Sequence, residues 1–246
     1  MILPKREDAI HKGQMYRLIS EIIDSSVSQN VYFKGGTCAA MLDFLDRFSI
    51  DLDFDIKKKA DKKNINKQLK KIFKKLDLEL KQKSKNTLFY LLKYNSREGE
   101  RNTLKLSLAD QALKSNIYQP FYLKDIDRFC ICQTKETMFA NKLVAVIDRY
   151  KKGQTIAGRD IYDIHYFFLQ GACYVNEIIT ERTGKKPIMY LKELINFIDE
   201  KINDTALTQD LSFLLPYNQF KLIRKVLKKE TLIFLKDEVK RLSNKS

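Results

Sequence analysis

The chain alternates apolar and acidic residues in the stretch Ser49-Ile50-Asp51-Leu52-Asp53-Phe54-Asp55-Ile56. Successive side chains of a β-strand point to opposite faces, so this period of two predicts a strand with its apolar residues in the core. The three aspartates then share the other face, where carboxylates at positions i and i+2 have their Cβ atoms about 7 Å apart. Because such neighbours repel each other, the pattern favours a cation between them, commonly Mg²⁺. A solvated strand face is the alternative interpretation.

A glycine pair lies upstream of this strand, in Lys34-Gly35-Gly36-Thr37. It separates a short apolar strand, Val31-Tyr32-Phe33, from a segment over 37–45 that is rich in helix-forming residues, with Thr37 expected as the N-cap. Backbone N–H groups at such a helix start have no intrahelical partner, and they attract phosphate. An ordinary strand-to-helix turn is the alternative. Together, the turn and the acidic strand supply the components for holding a nucleoside triphosphate with Mg²⁺.

The other periodicities of the first half predict a mixed α/β unit. Apolar residues spaced near 3.6 predict a leading helix over positions 10–23 and a second, lysine-rich helix from Asp61 to Leu76. Extended stretches are predicted near residues 78–83, 88–94 and 103–108, and a further strand is predicted in Phe129-Cys130-Ile131-Cys132.

From Thr134 onward the pattern predicts helix almost throughout, over residues 134–150, 160–169, 186–202 and 220–242. We therefore expect an α+β protein with two domains. The first is an α/β domain over residues 1–130, and the second is a mostly α-helical domain over residues 131–246.

The composition indicates a folded protein that works against polyanions. Lys and Arg number 46 and Asp and Glu 31, which gives a formal net charge of +15 and a pI of about 9.5. At 44% hydrophobic residues, the chain is not a disordered polycation. The lysine faces of the 61–76 helix and of the C-terminal helix are candidates for tracking phosphates. The chain has no apolar run of membrane-spanning or signal-peptide length, so we expect a cytoplasmic protein without a membrane partner.

Four cysteines, Cys38, Cys130, Cys132 and Cys173, are too few and too scattered for a disulfide framework. Only His11 and His165 could complete a zinc site with them, and tetrahedral sites usually bring their ligands in paired clusters. We therefore expect buried free thiols in a reduced compartment.

Several motifs in order resemble the AbiEii/AbiGii toxin family of nucleotidyltransferases, which belongs to the DNA polymerase β-like superfamily. The first is Lys34-Gly35-Gly36-Thr37, followed by Arg47-Phe48-Ser49-x-Asp51-Leu52-Asp53-Phe54. The later ones are Glu136-x5-Lys142-x6-Arg149 and Arg159-Asp160-Ile161-Tyr162-Asp163-Ile164. The likeness covers roughly residues 30 to 170, and the agreement of several motifs is far more specific than any one of them.

The resemblance implies a polymerase β-like nucleotidyltransferase domain with a mixed sheet, followed by a helical domain, with a triphosphate between them. Carried over residue by residue, Asp51 and Asp53 hold Mg²⁺. The contacts to the nucleotide are Gly35, Gly36, Thr37, Arg47 and Ser49. Lys142 and Asp160 complete the catalytic set. Lys142 serves as a point charge on the departing pyrophosphate, and Asp160 either orients a lysine or ligates a second metal.

The resemblance also implies a biological setting. Toxins of this family are partners of separately encoded antitoxins in toxin–antitoxin or abortive-infection operons, and some relatives transfer nucleotides to the 3′ end of tRNA. The chain is therefore expected to use a nucleoside triphosphate, an RNA acceptor with tRNA as first candidate, and a cognate antitoxin.

Two departures from the family pattern bear on activity. Position 50 is Ile where relatives often carry an acidic residue, and by alternation it points into the core. The second departure is Ser107, which occupies the position where polymerase β-like enzymes usually add a third carboxylate; Asp55, Asp110 or Asp160 could substitute. A nucleotide- and nucleic-acid-binding module without transferase activity is the alternative function, and a nuclease with the same carboxylates is a third.

Overall fold

The acidic strand lies in the interior of a mixed β-sheet that orders the first half of the chain. The computed structural model describes residues 1–84, 87–110 and 112–244. It divides into two compact units, Met1–Thr134 and Lys135–Ser246. The resulting fold class is α+β, as the sequence predicts.

Within the described residues the sheet has seven strands in the order β3-β4-β5-β2-β1-β7-β6. Their bounds are β1 Val31–Lys34, β2 Asp51–Ile56, β3 Glu79–Lys83, β4 Leu88–Lys93, β5 Thr103–Ala109, β6 Tyr118–Leu123 and β7 Arg128–Gln133. The neighbours β2 and β5 run parallel, as do β1 and β7, and the other pairs are antiparallel. The sheet is therefore mixed.

One face of the sheet is packed by two helices, α1 (Asp8–Ile23) and α3 (Lys62–Lys75). Leu52 and Phe54 of β2 are buried on this face, and the ring of Phe73 from α3 meets Tyr90 of β4 edge-on at 5.1 Å. Asp61 caps α3 by accepting hydrogen bonds from the backbone N–H groups of Lys63 and Asn64. The predicted period of two in β2 and the amphipathic basic helix are both confirmed.

The short helix α2 (Gly35–Met41) begins earlier than predicted. Thr37 is not its N-cap; that position belongs to Lys34, and Thr37 lies inside the helix with its side chain fully buried. The reason is the backbone of Gly35, whose φ of +82° turns the chain immediately after β1. The Thr37 hydroxyl instead donates a hydrogen bond to the backbone carbonyl of Asp51.

The second unit is helical. Its helices are α4 Lys135–Gly153, α5 Gly158–Leu169, α6 Asn176–Thr183, α7 Pro187–Lys201, α8 Asp204–Leu211, α9 Tyr217–Ile223 and α10 Leu227–Ser243. Phe139 of α4 and Phe167 of α5 stack at 5.0 Å in its core, and Leu191 of α7 and Leu235 of α10 are fully buried.

Four elements differ from the predictions. The helix predicted over 220–242 is two helices, α9 and α10, separated by Arg224-Lys225-Val226. The helices α6 and α8 were missed because each has only two buried residues, too few to show a helical period. Strand β6 was missed because it contains Pro120, and proline is tolerated in a sheet mainly on edge strands, which is where β6 lies.

The cysteines are all free thiols, but not all are buried. Cys38 and Cys132 are buried as predicted. Cys130 is half-buried and Cys173 is exposed, so the prediction of burial was wrong for these two. No helix among the described residues combines the length and hydropathy that crossing a bilayer would require.

The contact between α5 and α8 predicts a destabilising substitution. A Cβ at Gly158 would lie 2.9 Å from the Leu207 Cα and 3.0 Å from the Ala206 carbonyl oxygen, so α8 would have to shift. We expect Gly158→Ala to lower the free energy of unfolding by about 1–3 kcal/mol, measured by urea denaturation.

Gly13 is the matched control, because it lies inside α1 and a Cβ there would meet nothing within 4 Å. Gly13→Ala is expected to raise the free energy of unfolding by up to about 1 kcal/mol through helix propensity. Equal stability of the two alanine variants would contradict the close approach of α8 to α5.

Candidate active site

The candidate site is built on the sheet face opposite α1 and α3, called here the acidic face, which carries Asp51, Asp53 and Asp55. Asp51 keeps 25% of its side-chain surface exposed, and Lys105 of the parallel neighbour β5 places its Nζ 3.4 Å from one Asp51 carboxylate oxygen. Asp53 is half-buried. Two carboxylates therefore reach the same surface from one strand, with an ammonium beside the first.

Asp55 is in a different environment from the other two. It is buried, and its carboxylate accepts hydrogen bonds from Lys34 Nζ at 2.6 Å, the Tyr118 hydroxyl at 2.8 Å and Gln133 Nε2 at 3.0 Å. Three donors from β1, β6 and β7 thus surround this carboxylate. It ties the strands together rather than offering oxygens to a ligand.

The other suggested substitutes for a third carboxylate are engaged elsewhere. Ser107 lies directly beside Asp53 in the parallel register, which confirms the alternation argument. Asp110 forms an ion pair with Lys62 at 2.7 Å, and Asp160 forms ion pairs with Lys142 and Arg149. In the described parts of the chain, no group of three or more His, Cys, Asp and Glu residues could hold a metal ion.

The glycine turn closes directly over the acidic strand. A Cβ at Gly35 would lie 2.9 Å from an Asp53 carboxylate oxygen, and one at Gly36 would lie 2.9 Å from Arg47 Nη2 and 3.0 Å from Ser49 Oγ. Any side chain at either position would therefore collide with a residue of the candidate site. The structure brings the predicted nucleotide-contacting residues and the acid pair together in one cluster.

Arg47 and Ser49 form the base of this cluster. Arg47 is only 2% exposed and donates from Nη1 to the Phe48 carbonyl at 2.8 Å. Ser49 is buried, and its Oγ lies 2.9 Å from the Thr37 hydroxyl. Both side chains support the turn from within the protein, a role that their positions in the sequence do not reveal.

His11 of α1 is a positioning residue that sequence reasoning missed. It is buried, its Nε2 donates to the carbonyl of Ile50 at 3.0 Å, and its Nδ1 lies 2.6 Å from the Tyr94 hydroxyl. Burial lowers the pKa of His11 to about 4, so the ring is neutral near pH 7. The ring thereby fixes the backbone immediately before Asp51, where Ile50 is half-buried rather than fully in the core.

The second group of predicted residues is an ion-pair cluster between α4 and α5. Lys142 Nζ lies 2.9 Å from Asp160 and 2.7 Å from Asp163, and Arg149 Nε lies 2.6 Å from the other Asp160 oxygen. Both aspartate side chains are fully buried, while Lys142 is 15% exposed. Asp163 and Arg149 belong to the quoted motifs, but the sequence analysis gave them no role. Asp163 follows Asp160 by three residues and Arg149 follows Lys142 by seven, and both spacings place the two side chains on one face of a helix.

The charges of this cluster decide the protonation of Asp160. Burial alone would raise the pKa of Asp160, but Lys142 and Arg149 outweigh it and lower the pKa to about 2. Asp160 is therefore ionised near pH 7. It holds the Lys142 ammonium in one orientation, and two of the three N–H donors of that ammonium are engaged by carboxylates.

The sequence matches the model of a known protein family. A family model described as "Nucleotidyl transferase AbiEii toxin, Type IV TA system" matches residues 17–220. No curated protein sequence matches significantly.

Three solved structures share the fold at low identity. JHP933 from Helicobacter pylori has a TM-score of 0.60 at 20% identity, over 99% of this chain and 96% of that one. A Helicobacter pylori protein proposed to be a nucleotidyltransferase has a TM-score of 0.63 at 19% identity, over 98% and 99%. MenT4, a nucleotidyltransferase toxin from Mycobacterium tuberculosis, has a TM-score of 0.50 at 12% identity, over 96% and 87%.

The lowered pKa of Asp160 predicts a loss of stability in acid. Its stabilising contribution is complete above the unfolded-state pKa of about 3.9 and is lost as the pH falls toward 2. Between pH 5 and pH 2, we expect the wild type to lose about 2 kcal/mol more unfolding free energy than Asp160→Asn, measured by urea denaturation.

Asp237→Asn is the matched control, because Asp237 is an exposed aspartate on α10 of the same unit. Its acid profile should follow that of the wild type. Parallel profiles for the wild type and Asp160→Asn would show that the buried ion pair does not depress the pKa of Asp160.

Proposed function

Because the chain belongs to the AbiEii nucleotidyl transferase toxin family, we propose that it is the toxin of a toxin–antitoxin or abortive-infection system and transfers a nucleotide from a nucleoside triphosphate to RNA, with tRNA as first candidate acceptor. The observation that carries the proposal is the approach of the glycine turn to the acid pair, with no room for a Cβ between Gly35 and Asp53. A phosphate-binding turn and paired carboxylates in contact are what nucleotidyl transfer requires.

We infer that the turn binds the triphosphate. In this proposal the backbone at Gly35, Gly36 and Thr37 approaches the phosphate oxygens closely because the glycines carry no side chain. Ser49 and Arg47 support this turn from within the protein, and the buried Arg47 guanidinium adds positive charge next to Gly36. The 3′ hydroxyl of the acceptor then attacks the α-phosphorus in line and gives up its proton to water, a P–O bond forms, and the bond to the departing pyrophosphate breaks.

The donor set of the acidic face fits Mg²⁺. Asp51 and Asp53 supply two carboxylates, and Mg²⁺ is usually bound by one or two carboxylates together with substrate phosphates and water. When bound, the ion would neutralise phosphate charge and lower the pKa of the attacking hydroxyl. Lys105, whose Nζ lies 3.4 Å from Asp51, offsets part of the negative charge of the acid pair.

In the same proposal, Lys142 acts as a point charge on the pyrophosphate and Asp160 positions it. Asp160 is fully buried and paired with both Lys142 and Arg149, which favours the orienting role over metal ligation. Lys142 retains exposure and one N–H donor beyond those engaged by its two carboxylates.

The charge distribution supports a nucleic-acid acceptor. The solvent face of α3 carries exposed lysines, and among the described residues Lys67, Lys70, Lys71 and Lys74 form no ion pair. Their charges are therefore available to phosphates. A cytoplasmic location and a cognate antitoxin complete the proposal, since this family operates in toxin–antitoxin systems.

One observation favours the alternative of a nucleotide- and nucleic-acid-binding module without transferase activity. Ser107 stands beside Asp53 where a third carboxylate is usual, and Asp55 is enclosed by three donors. With only two carboxylates, a second metal would bind weakly. Triphosphate binding without transfer would support this alternative.

The transferase is tested with purified protein, labelled nucleoside triphosphates, Mg²⁺ and total tRNA. The wild type is expected to label RNA. Asp53→Asn should reduce labelling at least about 100-fold, because the variant loses one of the two carboxylates that would hold Mg²⁺. Its melting temperature without metal is measured alongside, to show that the variant is folded under the assay conditions.

Asp77→Asn serves as the control, because Asp77 is an exposed aspartate of the same unit that follows α3. It should label RNA at the wild-type rate. Labelling by Asp53→Asn at that rate would remove the acid pair from the site, and shortening of the RNA instead of labelling would identify a nuclease.

The lysine face of α3 is tested by the salt dependence of tRNA binding. Replacing Lys70 and Lys71 with alanine should make the slope of log K against log salt shallower by about 1.4–1.8, since each phosphate contact contributes about 0.7–0.9. The control replaces Lys192 and Lys201, two exposed lysines of α7. An identical slope change in both double variants would mean that α3 contributes only to overall charge.

A further inference from the structure

The acidic face continues beyond Asp55 into a group of exposed apolar side chains on β6 and β7. Tyr32 of β1 lies opposite Asp55, and β1 pairs in parallel with β7 through Phe33 and Cys132. Residues on either side of Cys132 therefore share the face of Tyr32 and Asp55. The hydrogen bond from Gln133 Nε2 to Asp55 confirms this assignment.

The group consists of Phe129 and Ile131 on β7 and Tyr122 on β6, called here the aromatic platform. Phe129 pairs with Tyr122 in register, and their rings lie 5.2 Å apart. Their exposed fractions are 71% for Phe129, 45% for Tyr122 and 38% for Ile131. Neighbouring exposed apolar side chains on one sheet face are characteristic of a binding surface.

One ammonium and one carboxylate border the aromatic platform. The Tyr122 hydroxyl donates to Asp127 at 2.6 Å on the β6 side, and Lys57 lines the same concave surface as Phe129 and Ile131 on the side toward the acid pair. Lys57 Nζ lies 5.0 Å over the ring of Tyr32, which itself stacks on Tyr118 at 4.0 Å. Aromatic rings that stack bases, beside ammonium groups that contact phosphates, are the usual means of binding single-stranded RNA. A second copy of this chain, which also carries +15, would be repelled.

The position of the aromatic platform suits an acceptor strand that ends at the acid pair. Phe129 lies two strands across the sheet and four residues along it from Asp53. With the usual strand spacing and rise per residue, the two Cα atoms are about 16 Å apart. A single strand can span this distance with a few nucleotides. The face therefore offers a continuous path from exposed rings to the candidate reaction centre.

We propose that the aromatic platform binds the single-stranded 3′ region of the RNA acceptor by stacking bases on Phe129 and Tyr122, upstream of the nucleotide at Asp51 and Asp53. This inference rests on the proposed function, because the proposed transfer reaction is what places the 3′ end of the RNA at Asp51 and Asp53. The recognition it describes is tolerant of sequence, because every base has a stacking face.

The test measures binding of a short labelled single-stranded RNA of mixed sequence to the full chain by fluorescence anisotropy, without nucleotide or Mg²⁺. Phe129→Ala should weaken binding roughly 5- to 150-fold. Phe129→Tyr should keep near-wild-type affinity, whereas Phe129→Leu, which is apolar but cannot stack, should weaken binding nearly as much as alanine.

Tyr217→Ala is the control, because Tyr217 is also an aromatic residue with 71% exposure and lies at the start of α9 in the other unit. It should bind RNA like the wild type. Unchanged binding by Phe129→Ala, equal weakening by Tyr217→Ala, or no RNA binding by the wild type would each overturn the inference. Loss of self-association in Phe129→Ala with RNA binding intact would identify a protein interface and overturn it too.

The result is separable from that of the transfer assay. A wild type that binds RNA through Phe129 but labels none would refute the transferase and leave the platform standing. Equal labelling of RNA by the wild type and by Phe129→Ala, at acceptor concentrations below saturation, would refute the platform and leave the transferase standing.

Discussion

Three carboxylates on alternate residues of a single strand must repel one another, and the surrounding structure is arranged around that repulsion. Lys34 comes from the strand on one side of β2 and Lys105 from the strand on the other. Lys34 lies 2.6 Å from Asp55, and Lys105 lies 3.4 Å from Asp51. Asp53, between them, lies against the glycine turn. The middle of the strand is thus the place where the glycine turn meets the acidic face.

The two groups of ionised residues in this protein differ in their access to solvent. The carboxylates of Asp160 and Asp163 are completely buried and compensated by Lys142 and Arg149, an arrangement that fixes the geometry of α4 against α5. Asp51 retains a quarter of its surface. Solvent therefore reaches the Asp160 cluster through its basic side chains, and it reaches the acidic face through Asp51.

Local patterns were sufficient to predict the elements that position the site. The alternation in β2, the lysine face of α3 and the glycine turn each depend on neighbours in sequence, and the structure contains all three. Thr37 was misplaced because the conformation of Gly35, which starts the helix early, is not encoded by capping preferences. Strand β6 was missed because an edge strand tolerates Pro120, an exception that only the sheet order explains. The partners of Asp55 and the placement of His11 beneath Ile50 come from distant segments, and no local period reports such contacts.

Pro120 has a consequence for how the protein can associate with others. Strand β6 is the last strand of the sheet, and proline there lacks the N–H that an added strand would need. An incoming peptide strand could therefore not pair continuously with the outer edge of β6. The same interruption opposes amyloid-like stacking on this edge. Macromolecules approaching this side of the protein must be recognised through side chains, so specificity here is open to change by point substitution without alteration of the backbone.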